Sequence, residues 1–133
     1  DNYKLIINNL DEIKKYYLNN DISSIKYDLY KKILVENIVV EEYSYKISLS
    51  NEVKIEKINS EFDTTNKLFR YKIRHSIFSD DKLFRFDFSE VKSSNDTDIR
   101  SSNLFKKDFS YEIEIEYIGD SKNKEEIQKS LMK

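Results

Sequence analysis

The stretch Tyr111-Glu112-Ile113-Glu114-Ile115-Glu116-Tyr117 alternates strictly between apolar and acidic residues. A period of two predicts a strand, whose side chains point to opposite faces by turns. Tyr111, Ile113, Ile115 and Tyr117 therefore share one face, and Glu112, Glu114 and Glu116 the other. Carboxylates two residues apart on a strand lie about 6.5–7 Å from one another. Three like charges in a row raise one another's pKa unless cations neutralise them. Either this face looks into bulk water or something positive sits opposite it.

Two further strands bear on that choice. In 69–75, Arg70, Lys72 and Arg74 take one face, and Phe69, Tyr71 and Ile73 the other. In 83–91, Arg85, Asp87 and Ser89 take one face, and Phe84, Phe86 and Phe88 the other. Ser79-Asp80-Asp81 between them is a turn signal, which predicts an antiparallel hairpin. One strand face is thus basic, one mixed and one acidic, each backed by bulky apolar side chains that need cover. Were the sheet to close with the polar faces inward, its interior would be a charged tunnel packed outside by helices.

The rest of the chain supplies candidates for that cover. Residues 1–20 read as an N-terminal helix with Ile6, Leu10, Ile13 and Tyr17 on one side. Residues 22–33 suit a short capped helix or a strand equally. The β-branched run 33–40 reads as a strand, as do 43–49 and 53–58, with a turn at Ser50-Asn51-Glu52. Residues 59–66 read as a loop and 93–108 as a mobile one. Gly119-Asp120 ends the acidic strand, and a C-terminal helix is expected over 124–132. The predicted class is α+β: one domain over 1–133, an antiparallel β-barrel with strands over 26–118 and flanking helices.

Composition narrows the chemistry. The 133 residues suffice for one domain with a core. A net charge of −2 gives no global basic field for nucleic acid. There is no cysteine and one histidine, His75, read here as a packing or surface residue. A metal would therefore need oxygen ligands, as magnesium or manganese does. No apolar run approaches the ~20 residues of a membrane span. Arg and Lys clamp phosphate oxygens through charge-assisted hydrogen bonds, and a carboxylate row can hold a divalent cation. A triphosphate with its metal suits such a tunnel, and phosphoryl transfer is mostly positioning and electrostatics.

In that order and spacing, Arg70-x-Lys72-x-Arg74, Arg85-x-Asp87-x-Ser89 and Glu112-x-Glu114-x-Glu116 resemble the triphosphate tunnel metalloenzymes. The likeness is to the RNA 5′-triphosphatase domain of mRNA-capping enzymes of viral and cytoplasmic-plasmid type, and spans residues 43–117. It implies removal of the γ-phosphate from nascent RNA as the first step of cap formation, with Mg2+ or Mn2+, in the cytoplasm or virion. It implies phosphate binding by Arg70, Lys72, Arg74 and Arg85, and also by Lys46 and Lys92 at family-like positions. Glu112, Glu114 and Glu116 would serve metal and water activation, Asp87 would join the catalytic set, and Ser89 would be structural. The family's first strand carries its own Glu-x-Glu pair, and Glu36, Glu41, Glu42 and Glu52 do not supply it. The expectation is a fragment, its missing strand supplied by the parent chain or another chain, with a linked guanylyltransferase domain. Other readings stay open: an inorganic or nucleoside triphosphatase of the same fold, or a non-catalytic β-rich RNA-binding or interaction module.

Overall fold

The computed structural model describes residues 2–58 and 61–120. The chain divides into two compact units, Asp1–Asn66 and Lys67–Lys133. Each holds one antiparallel three-stranded sheet, ordered β1-β2-β3 and β4-β5-β6. Among the described residues no strand pairing closes either sheet into the expected barrel.

In the first unit, β1 (Asn2–Ile6) pairs with β2 (Asp28–Val40), which pairs with β3 (Tyr45–Ile55). The expected helix over 1–20 is thus corrected: its first turn and more is strand, and α1 runs only over Leu10–Asn19. Asn9 starts that helix, its side chain accepting from the Asp11 backbone N–H at 2.8 Å. Asn20 ends it in the left-handed region, at φ 48°, with its N–H bonded to the Tyr16 carbonyl. Ile6 therefore never joins the helical stripe, and the side chain that α1 buries is Tyr16. Tyr16 forms the core of this unit with Ile22, Ile25 and Leu29.

The expected turn at Ser50–Glu52 is also corrected. Those residues lie inside β3, opposite Leu34, Ile33 and Lys32. The reversal falls instead at the short helical turn Glu41–Tyr43, where Ser44 takes φ 54°. A register shift between Leu34 and Glu36 bulges β2 at Val35. The turn-forming residues of 50–52 are carried as strand because a 13-residue partner pairs through them.

In the second unit, β4 (Lys67–Phe78) and β5 (Phe84–Asp96) form the expected hairpin. Ser79 and Asp81 build its turn: the Asp81 carboxylate accepts from the Ser79 hydroxyl at 2.6 Å and the Leu83 N–H at 3.1 Å. Lys82 takes φ 56°. β6 (Ser110–Tyr117) pairs along the other edge of β5.

The segment 93–108 is not a loop throughout. β5 runs on to Asp96, and the rest folds back through carboxylate-capped turns. Asp98 accepts from the Arg100 and Ser101 N–H groups at 2.7 and 3.3 Å. Ser102 donates to the Ile99 carbonyl at 2.6 Å and accepts from the Leu104 N–H at 3.2 Å. These bonds satisfy the segment's own polar groups, so Ile99 and Leu104 can be buried. Phe105 meets Tyr71 edge-on with ring centres 5.4 Å apart. Cover for one end of the apolar face thus comes from this segment, where flanking helices were expected. The expected helix over 124–132 lies outside the described residues.

Candidate active site

The strand registers decide which polar side chains meet. Arg74, Ser89 and Glu112 form one row across β4, β5 and β6. Ser76, Asp87 and Glu114 form the next, and Phe78, Arg85 and Glu116 the one after. Even numbers on the edge strands and odd numbers on the middle strand share this face. Four cations, Arg70, Lys72, Arg74 and Arg85, therefore face four carboxylates, Asp87, Glu112, Glu114 and Glu116.

The ion pairs run obliquely to those rows. Arg70 Nη2 lies 2.5 Å from Glu112 Oε1, and Lys72 Nζ bonds Glu114 Oε2 while standing 3.8 Å from Glu112 Oε2. Lys72 is directly opposite Val91, so its side chain leans along the sheet to reach β6. Small side chains on β5 make this possible. Ser89 and Val91 lie on the charged face yet are only 4 % and 1 % exposed. The long chains of the two edge strands bridge over them. Ser89 Oγ is buried there with no hydrogen-bond partner among the described residues.

Asp87 is the anchor of the face, 1 % exposed. Arg85 Nε donates to both of its oxygens at 3.0 Å, and the Ser76 hydroxyl donates to Oδ1 at 2.6 Å. Arg74 Nε stands 3.5 Å from Oδ2. Burial pushes the Asp87 carboxyl up, but Ser76, Arg85 and Arg74 together outweigh it and hold the group below its ordinary value. Arg85 also reaches Glu116, through Nη2 at 2.5 Å. For Glu114 burial again raises the pKa, and the Lys72 bond with the charges of Lys72, Arg74 and Arg70 overrides it, leaving the carboxyl lowered. The alternation therefore resolves as the second of the two options: something positive does sit opposite the acidic row.

The structure brings Arg70, Lys72, Arg74, Arg85, Asp87, Ser89, Glu112, Glu114 and Glu116 onto one face of one sheet. Two other candidates do not share this sheet face. Lys92 has the opposite parity: its Nζ donates to the Phe105 carbonyl at 2.8 Å and stands 4.6 Å over the Phe109 ring. There it covers the apolar side. Lys46 belongs to β3 of the first unit, opposite Val39. Ser76 was missed. Its parity continues Arg70, Lys72 and Arg74, and that signal could have found it. His75 sits opposite Phe88 on the other face, and is exposed.

As donors, the carboxylates suit a hard cation, which takes oxygen ligands. As arranged, they hold arginine and lysine instead. Among the described residues, no three His, Cys, Asp or Glu side chains are grouped so that they could hold a metal ion. No acidic residue lies on β1. Among the described residues, no helix is long and apolar enough to cross a membrane.

The fold is shared with solved domains. It superposes on the mimivirus capping enzyme triphosphatase, solved in a monoclinic crystal, with a TM-score of 0.68 and 22 % sequence identity. That match covers 98 % of this chain and 65 % of the mimivirus one. The RNA triphosphatase domain of the trifunctional mimivirus mRNA capping enzyme matches with a TM-score of 0.67 and 22 % identity, over 98 % of this chain and 64 % of that one. The chain thus spans just under two thirds of the solved domains it resembles. No protein-family model matches it, and no curated protein matches it in sequence.

Proposed function

We propose that the chain carries the phosphate-binding wall of an RNA 5′-triphosphatase that removes the γ-phosphate of nascent RNA in mRNA capping. The observation that carries this reading is the ion-paired face of β4, β5 and β6, on a fold shared with capping-enzyme triphosphatases. Arg70, Lys72 and Arg74 project from one face of one strand, and their long side chains can converge on the oxygens of a polyphosphate. Arginine matches phosphate oxygens with two parallel N–H donors, and lysine adds a compact point charge. Asp87 and Ser76 form the floor that fixes Arg85 and steadies Arg74. Glu112, Glu114 and Glu116 would provide part of the oxygen donors for Mg2+ or Mn2+, completed by ligands from outside the described residues. Such an ion, when bound, polarises the phosphoryl oxygens as a Lewis acid. A glutamate of the row released from its cation would orient the attacking water and take its proton.

The same reading gives the chain its partners: a triphosphate-ended RNA, and an acidic strand from elsewhere in the parent polypeptide or from a second chain. Two observations support that strand. Every carboxylate on this face already faces a cation, and the chain spans only 65 % of the mimivirus triphosphatase. A linked guanylyltransferase domain and a cytoplasmic site of action go with the capping role.

The test is manganese-dependent phosphate release from triphosphate-ended RNA, with ATP and inorganic tripolyphosphate as competing substrates. It is run on the chain alone and on the chain within its full reading frame. Release from RNA by the full frame, lost on Arg74→Ala, is the expected result. Tight RNA binding with no release by either would turn the reading toward a binding module. Release from ATP or tripolyphosphate but not from RNA would make the protein a nucleoside or inorganic triphosphatase.

A further inference from the structure

We infer that β6 is a self-pairing edge: two copies of this chain join antiparallel through it, about a two-fold axis at Glu114, and their β4-β5-β6 sheets become one. This pairing is independent of the phosphate-binding reading, and the partner it takes is a second copy of the chain.

Tyr111-Glu112-Ile113-Glu114-Ile115-Glu116-Tyr117 reads the same in both directions. A two-fold interface brings residue i of one copy to j of the other, and j to i. Antiparallel pairing centred on Glu114 therefore sets Ile113 beside the partner's Ile115, and Tyr111 beside the partner's Tyr117. Each apolar side chain meets an apolar one on the same face. A one-residue slip would set each isoleucine against a glutamate.

The backbone of β6 is disposed for this register. Among the described residues β6 is the last strand of its sheet. The Ile118 N–H donates to the Leu83 carbonyl at 2.8 Å, one step beyond the Phe84–Tyr117 pair. Main-chain groups alternate sides along an antiparallel strand. Those of Glu112, Glu114 and Glu116 therefore bond β5, and those of Ile113 and Ile115 point away from it. Centring on Glu114 places the outward groups of Ile113 opposite the outward groups of the partner's Ile115, as a hydrogen-bonded pair. Both side chains are more than half exposed, 72 % and 57 %. An exposed apolar edge of this kind is a template for another strand.

Charged side chains usually guard such an edge, because like charges placed opposite each other resist pairing. On β6 that guard is cancelled within each copy. Arg70 holds Glu112, Lys72 holds Glu114, and Arg85 holds Glu116. Glu114 therefore meets the partner's Glu114 with a lysine on each, and Glu112 meets the partner's Glu116 with an arginine on each. The cations of β4 and β5 remove the repulsion that three bare glutamates would raise.

Sedimentation velocity over a concentration series tests the pairing, on the 133-residue chain and on the full reading frame. A concentration-dependent dimer is expected of both. Ile113→Pro removes an outward N–H and leaves the β5 ladder intact, a change that an edge strand tolerates. Symmetry removes that donor twice, so the dimer should weaken by about 5–150-fold. Lys72→Gln leaves each Glu114 without its lysine and should weaken it by about 2–5-fold, whereas association through apolar contact alone would not respond. Cross-linking reads the register and still decides if Ile113→Pro fails to fold. The chain has no cysteine, so Glu114→Cys places one thiol beside its own copy across the axis, with Cβ atoms about 4.5–5.5 Å apart. Diamide should cross-link that variant to a dimer. It should not cross-link Glu112→Cys, whose two thiols would lie about 13 Å apart, four residues along the strand. A monomeric 133-residue chain overturns the inference, as does a dimer unaffected by a folded Ile113→Pro variant or equal cross-linking at the two positions. A monomeric full reading frame also overturns it, and gives the edge to a strand of the parent polypeptide.

Discussion

Replacing Asp87 by asparagine should destabilise the second unit well beyond a surface substitution. The side chain is almost wholly buried and accepts two bonds from Arg85 Nε, both at 3.0 Å, and one from the Ser76 hydroxyl at 2.6 Å. Asparagine keeps the volume and one acceptor oxygen. It removes the charge and turns two donors toward a guanidinium. Breaking one side of a buried ion pair costs about 3–5 kcal/mol. Arg85 retains Glu116, so the low end applies, about 3 kcal/mol. Unfolding entropy runs near 2.1 cal/mol/K per residue, about 0.28 kcal/mol/K if all 133 residues unfold together. The Tm should then fall by about 10 °C, or by roughly twice that if Lys67–Lys133 unfolds by itself. Circular dichroism melts at neutral pH measure it. The pH dependence gives a second readout. A carboxyl held below its ordinary value in the folded state stabilises above that ordinary value, and the contribution is lost as pH falls through the depressed one. The gap between native and Asp87→Asn should therefore be full at pH 7 and close progressively below about pH 4. A Tm within 2 °C of native at pH 7, on the order of 0.5 kcal/mol, would show that Asp87 is not the buried anchor described here.

Other substitutions probe the remaining parts. Arg74→Ala in the full reading frame should slow phosphate release by about 2–4 kcal/mol in activation free energy, and Arg74→Lys should recover only part of it; single-turnover release from triphosphate-ended RNA reads both. Leu104→Ala should cost about 2–5 kcal/mol in a urea melt, because the 97–109 segment is packed; a loss under 0.5 kcal/mol would mean the segment is a loose loop. Asn9→Ala should cost about 1 kcal/mol by removing the cap of α1, whereas a helix beginning at residue 3 would not register the change. Lys92→Ala should leave tripolyphosphate binding unaltered, since its ammonium lies on the apolar side; a loss comparable to Lys72→Ala would return Lys92 to the clamp.

Much of the second unit could be read from residue order alone, because strand parity is a local property. A period of two assigns each side chain of β4, β5 and β6 to a face without knowledge of any neighbour. The same parity separates Lys92 from Arg85, Asp87 and Ser89, and adds Ser76 to the basic row; a likeness of motif had pulled Lys92 the other way. Where local signals compete, the sequence was ambiguous. Residues 2–6 alternate about as well as they fit a helical stripe, and pairing with Asp28–Lys32 decided for the strand. Ser50-Asn51-Glu52 has turn chemistry, and a long partner strand overrode it. The polar run 97–109 gave no sign that its hydroxyls and carboxylates would satisfy its own backbone, and so let Ile99 and Leu104 into the core. The partners within the charged face belong to tertiary structure alone. Opposite charge predicts attraction between Lys72 and the glutamates, but which glutamate it reaches depends on the registers of two ladders and the small side chains of β5 between them. Those registers are set by residues far apart in the chain. The acidic row could therefore be recognised from its alternation, while its pairing with Arg70, Lys72 and Arg85 exists only in the folded sheet.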